Sequence, residues 1–420
     1  MSQIKYSDVF VPGGFPQYTY NPRLELNLES KVRQVTENLC KLVTVTGHTK
    51  SGKTVLVRKI LPREEALWID GGGVGAEDDF WSTIIDQLEL FQTIDNESSE
   101  ETTSELAASA KVGASFFVAK GEAEGSASIG SSRGKSLIKT RTVSTKVAAL
   151  AGLRKAKIPL VIDDFHYLPR EVQGNLIRAL KPLIFDGLAV VIIAIPHRRY
   201  DALKVEKEMT GRIFPVEIPL WQEAELTYIP DTGFKKLGMT ISDPLVAKLP
   251  IQAIGSPHLM QEFCRAICRR YEDSASGPID EIVFSDETLD KIFRETADTI
   301  GRPIFEKLAR GPRQRSDRIS RVLKSGENVD IYSLVLHALA YLKPGLITLE
   351  YEDLRSAIRN VSSDKIPQLQ EVARVLKHMS EIAATDQSSS PVIDFNDADK
   401  QLHVTDPFFA FYLRWGKLSP

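Results

Sequence analysis

The stretch that constrains this chain most is TVTGHTKSGKTVLV, residues 44–57. The run before Gly47 is rich in β-branched residues and reads as a short strand, and the run after Gly52 reads as a helix opening. Between them stands the spacing GxxxxGKT, filled here by Gly47, His48, Thr49, Lys50, Ser51, Gly52, Lys53 and Thr54. Glycines let such a turn bring backbone N–H groups against phosphate oxygens. The helix N-terminus, running on into Val55, adds its partial positive charge. The Lys53 ammonium can reach the outer phosphates, and the Thr54 hydroxyl suits a Mg2+ ion. Residues 47–55 are therefore expected to hold a nucleotide, ATP, together with Mg2+.

A loop of this kind calls for a second buried strand that ends in acid. IPLVIDDFHYLP, residues 158–169, supplies it. Leu160, Val161 and Ile162 form an unbroken apolar run, as in a strand buried on both faces. Asp163 would hold Mg2+, usually through water, and Asp164 would orient or deprotonate the attacking water. ALWIDGG (66–72), GLAVVIIAIPHRR (187–199) and RIFPVEIPLW (212–221) read as three further strands, with the helical patterns FWSTIIDQLELF and EVQGNLIRALKPLIF between. This alternation predicts an α/β fold, a parallel sheet wrapped by helices, with ligand at the carboxyl ends of the strands.

Composition narrows the class. A net charge of −3 over 420 residues means that any nucleic-acid contact must come from a local patch. Cys40, Cys264 and Cys268 show neither metal-ligand spacing nor a disulfide framework. The longest apolar run, GLAVVIIAIP, is about half a membrane span. MSQIKYSDVF has no apolar stretch of the kind a signal peptide needs. A cytoplasmic protein without a membrane segment is expected.

With both motifs placed, the chain resembles AAA+-related P-loop ATPases, nearest to the group shared by origin-recognition-type initiators and STAND switch ATPases that end in a winged helix. YTYNPR (18–23) stands ahead of the loop, where such proteins pack a segment on the adenine; the resemblance gives Tyr20 and Arg23 that role. IPHRR (195–199) occupies the sensor-one position, and Arg198 would read the γ-phosphate. IGSPHLMQEFCRAI (254–267) is similar to the GxP segment of a helical lid, where Gly255 and Pro257 would approach the base. LHVTDPFFAFYLRWGKL resembles the closing segment of the prokaryotic members. Arg212, just before the last strand, stands where AAA+ rings place an arginine finger that completes a neighbour's site. Two departures matter. Asp164 replaces the usual glutamate of the motors and is one methylene shorter, which favours slow, switch-like turnover. Gly211 replaces the serine that often precedes such a finger.

The implied organisation is an N-terminal segment near adenine (1–29), an ATPase core (30–220), a helical lid (221–275), a basic helical bridge (276–328) and a winged-helix domain (329–420). The core carries an insertion (95–146) whose small-residue alternation reads as a β-hairpin. Residues 111–146 hold seven basic side chains against two acidic ones, a net charge of +5. The bridge gathers Arg310, Arg313, Arg315, Arg318, Arg321 and Lys324. Hairpin, bridge and winged helix are the candidate DNA contacts, although the third helix of the last domain is charge-balanced. Three functions fit: a nucleotide-controlled switch that self-associates or acts on a protein partner encoded nearby, which the resemblance links to defence or signalling; a DNA-binding ATPase of the initiator or transposition-regulator kind; and a nucleotide-binding scaffold without turnover.

Overall fold

The strand runs fold as their sequence dictates. In the computed structural model, which describes residues 4–90, 92–94, 138–140, 144–195, 209, 211–274, 281–312, 319–384, 391–397 and 399–418, five strands form one sheet. They are β1 (Leu42–Gly47), β2 (Leu67–Asp70), β3 (Leu160–Asp163), β4 (Val190–Ala194) and β5 (Ile213–Ile218), in the order β2-β3-β4-β1-β5. The ladders β2–β3, β3–β4 and β4–β1 are parallel, with Asp70 opposite Asp163 and Thr46 opposite Ala194. Val43, Val45, Leu160, Val161, Ile162, Val190, Val191 and Ile193 are all fully buried, as expected for strands covered on both faces. Because β1 and β3 run parallel on either side of β4, their carboxyl ends lie at the same edge of the sheet.

Helices α1 (Lys53–Ile60), α2 (Glu77–Gln87), α3 (Thr145–Ala156) and α4 (Arg170–Phe185) lie between the strands. Their apolar faces meet the sheet around Phe80, Trp81, Ile84, Leu153, Leu176 and Leu180. The insertion opens and closes on a short antiparallel ladder, Gln92 to Ile94 against Ile138 to Thr140. The expected hairpin within it falls outside the described residues.

By compactness the chain forms two units, each assembled from separate stretches. One comprises 27–46 and 54–217, the sheet and its helices. The other comprises 1–26, 218–420 and, notably, the loop 47–53. Buried residues from the stretches 1–29, 221–275, 276–328 and 329–420 belong to one hydrophobic cluster. Phe10 packs at a tilt against Phe234 of α5 (Glu223–Lys236), with ring centroids 5.1 Å apart. The core continues through α6 (Asp243–Gln252), α7 (Pro257–Ser274) and the 25-residue α8 (Asp286–Arg310).

Beyond α8 come α9 (Ile331–Leu342), β6 (Thr348–Glu350), α10 (Tyr351–Val361), α11 (Leu369–Ala384), β7 (Ile393–Asn396), β8 (Gln401–Val404) and α12 (Pro407–Trp415). The three strands form an antiparallel sheet, β6-β8-β7. The expected basic bridge is only partly available to a partner. Arg313, Arg315 and Arg318 fall outside the described residues, and Arg321 turns inward, 9% exposed, donating to the Lys365 carbonyl and pairing with Glu371. No helix among the described residues is long and apolar enough to cross a membrane.

Candidate functional site

The loop between β1 and α1 has the backbone of an anion cradle. Lys50 and Gly52 both take left-handed conformations, with φ of +59° and +91°. Glycine adopts that value freely, whereas Lys50 does so at a cost of about 1–2 kcal/mol. A Cβ on Gly47 would stand 2.8 Å from the Ile218 carbonyl oxygen and 3.0 Å from Ser51 Oγ, so no side chain fits there. Alternating left-handed turns aim successive N–H groups into one concavity, the arrangement that holds phosphate. Ser51 Oγ is buried and has no hydrogen-bond partner among the described residues, a polar group waiting for one.

Lys53 is 8% exposed and donates Nζ to the carbonyls of Gly47 (3.0 Å) and His48 (2.8 Å), so its ammonium rests across its own loop. His48, Thr49 and Val55 are half-buried, and Thr54 is exposed in the first turn of α1. Residues 47–54 thus fit a polyphosphate: backbone donors, the Lys53 ammonium, one orphan hydroxyl and an exposed threonine at a helix start. For Mg2+ the fitting oxygens are Thr54 and the half-buried Asp163 at the end of β3. Asp163 Oδ1 accepts the Asp164 N–H at 2.9 Å, and Asp164 itself is left-handed, φ +49°.

Two contacts missed by sequence reading hold this loop. Trp221 donates its indole N–H to the Ser51 carbonyl at 2.9 Å. Lys50 donates to Asp406 at 2.5 Å and lies 3.7 Å from the centroid of the Phe408 ring. The partners stand 170 and 356 residues away, so no local pattern signals them.

Arg23 was expected at the adenine. Instead the structure buries it, 6% exposed, and commits its guanidinium: Nε and Nη2 to the Glu225 carboxylate at 2.7 and 2.8 Å, Nη1 to the Pro219 carbonyl and Nη2 to the Leu220 carbonyl. It also lies over Trp221, 4.8 Å from the ring centroid. Its guanidinium thus ties the residues that follow β5 to the start of α5. Tyr20 stacks on Phe15 with rings 6.3 Å apart. Pro257 opens α7, just after a left-handed Gly255 whose carbonyl accepts the Trp221 N–H at 3.4 Å.

Arg212 stands at the amino end of β5, where its carbonyl accepts from Leu42 at the start of β1. Its guanidinium lies 5.7 Å from the exposed Phe185 ring. That is the edge of the sheet where β1 begins. Arg198 falls outside the described residues. Where the insertion rejoins the core, Glu77 accepts from Lys146, Trp81 and Asn175. Burial pushes its carboxyl up, but these three donors outweigh burial and leave its pKa below the ordinary value.

No family model matches the sequence, and no curated protein matches it. Solved structures do. A Walker-type ATPase of Pyrococcus abyssi superposes with a TM-score of 0.52 at 14% identity, covering 92% of this chain and 94% of that one. The chain shares the α/β P-loop fold of that protein. Cdc6p of Pyrobaculum aerophilum gives 0.45 at 12% identity over 97% and 96% of the two chains. A STAND protein with a tetratricopeptide repeat sensor from Pyrococcus horikoshii gives 0.37 at 13%, covering 98% of this chain and 44% of that one. The strand order sets the carboxyl end of β1 two strands from that of β3.

Proposed function

We propose that this protein is an ATP-binding, slowly hydrolysing switch whose nucleotide state sets self-association or the hold on a protein partner. The observation that carries the reading is the left-handed loop at Lys50 and Gly52, closing on the orphan Ser51 hydroxyl and feeding into α1. Nucleotide phosphates would take the loop's N–H groups and draw the Lys53 ammonium off the Gly47 and His48 carbonyls. Thr54 and Asp163 would hold Mg2+, which neutralises charge on the phosphates. Asp164 would orient and deprotonate the attacking water. Its short side chain favours slow turnover, which suits a timer better than a motor.

The loop's ties to Trp221 and Asp406 support a switch, because a ligand acts on a conformation only through contacts that differ between states. Arg212, on the far edge of the sheet, fits a finger offered to a second copy. The order α9-β6-α10-α11-β7-β8 fits a winged helix. Its charge gives little support to a DNA reading: α11 exposes Arg374 and Lys377 beside Glu381, and the β7–β8 turn carries Asp397 and Asp399 against Lys400.

Titration calorimetry with Mg-ATP and Mg-ADP, alongside phosphate release, tests the proposal. Binding is expected in the wild type and its loss in Lys53→Ala. Asp164→Asn should still bind but release phosphate at least ~10-fold more slowly. A wild type that binds neither nucleotide overturns the reading. Light scattering with each nucleotide then separates self-association from action on a partner.

A further inference from the structure

The third variable position of the phosphate loop is a poor place for lysine. Its backbone is left-handed, which favours glycine, and the Lys50 side chain is held away from the cradle rather than over it. What it meets is specific. Asp406 is 5% exposed and uses its two oxygens for different tasks. Oδ1 caps α12, accepting from the Phe408 and Phe409 N–H groups at 2.8 and 2.9 Å. Oδ2 takes the Lys50 ammonium, which also rests on the Phe408 ring. One carboxylate therefore fixes both the start of the last helix and the kink of the phosphate loop.

Helix α12 is in turn anchored well beyond the loop. Phe411 packs against both Phe263 of α7 and Phe293 of α8. Trp415 donates to Gln252 of α6, and Arg414 to the Pro344 carbonyl after α9. The helix packs on α8 and α9 and meets the loop through its cap Asp406 and the Phe408 ring.

We propose that Asp406 is a positioning residue for the nucleotide, acting through Lys50, and that loop occupancy and docking of α12 are thermodynamically coupled through this pair. The inference rests on the nucleotide reading above. The ion pair supports the left-handed kink that phosphates require, so the coupling is positive. Bound nucleotide firms the seat of α12, and by reciprocity a seated α12 tightens the nucleotide.

Simple electrostatics predicts the opposite sign. Deleting a carboxylate near an anion site should strengthen anion binding, whereas loss of the positioning contact should weaken it. The test uses the full chain, a fluorescent ADP analogue with Mg2+, and backbone amide exchange over α12. In the wild type, ADP should slow exchange in α12. Asp406→Asn keeps a good N-cap but loses the countercharge; it should bind ADP about 5- to 100-fold more weakly and show no ADP effect on α12 exchange. Lys50→Gln, which leaves the cap untouched, should do the same and decides the matter if Asp406→Asn does not fold. Unchanged or tighter ADP binding, or α12 exchange indifferent to ADP in the wild type, overturns the coupling alone. A wild type that does not bind ADP overturns this and the nucleotide reading together.

Discussion

Trp221 touches the phosphate loop on one side and the N-terminal segment on the other: its indole N–H donates to the Ser51 carbonyl at 2.9 Å while the Arg23 guanidinium lies over its ring. A single aromatic side chain thereby joins stretches that sequence places far apart. Trp221→Phe keeps the stacking surface and removes only the donor. A net hydrogen bond of about 0.5–1.5 kcal/mol corresponds to a ~2- to 10-fold loss of nucleotide affinity with little change in the melting transition. Titration calorimetry beside thermal unfolding reads both.

Arg23 should matter to stability rather than to ligand chemistry. Its side chain is 3% exposed and faces Glu225, which is 23% exposed. Arg23→Ala removes four hydrogen bonds and leaves that carboxylate the Gln222 N–H, and should cost about 1–3 kcal/mol in urea unfolding. Lysine should not rescue it, since one ammonium cannot replace a planar fork with four acceptors. A wild-type midpoint for Arg23→Ala would mean that the clamp does nothing.

Close packing between α8 and α12 gives a third test. A Cβ on Gly301 would stand 2.4 Å from Tyr412 Cβ and 3.1 Å from the Phe408 carbonyl oxygen, so neither side can yield cheaply. Gly301→Ala should lift α12 and destabilise by about 1–3 kcal/mol despite alanine's better helix propensity. Denaturant unfolding of the variant checks the sign, which propensity alone would reverse.

His337 on α9 predicts an acid limb in stability. Burial lowers its pKa from 6.5, with Glu327 opposing weakly, and its Nε2 has no hydrogen-bond partner among the described residues. The fold thus prefers the neutral ring, while the unfolded chain takes up a proton below about 6.5. This contribution is complete above that pH and is lost as pH falls through it, at up to ~1.4 kcal/mol per pH unit until the folded ring protonates. His337→Leu should flatten the slope of unfolding free energy between pH 6.5 and 5. A slope unchanged by the substitution would assign it to other groups.

The readable parts of this chain were those whose chemistry is local. Strands buried on both faces announce themselves as apolar runs, so β1 and β3 could be named beforehand. Arg23 and Arg321 were misjudged for one reason: a charge in a sequence looks available, and only the fold reveals Glu225 or Glu371 beside it. Trp221 and Asp406 were invisible as loop partners because a ring or carboxylate that acts across hundreds of residues leaves no periodic trace. The compact units were unreadable for the same reason, since each is stitched from non-adjacent stretches.

The Lys50–Asp406 contact also sets a clock on synthesis. The carboxylate that steadies the loop is encoded 356 residues after the lysine it holds. At ~5–20 residues per second, a ribosome takes about 20–70 s to travel that distance. Through that interval the growing chain carries a phosphate loop without its brace, and the brace arrives only with the helix that the loop is coupled to.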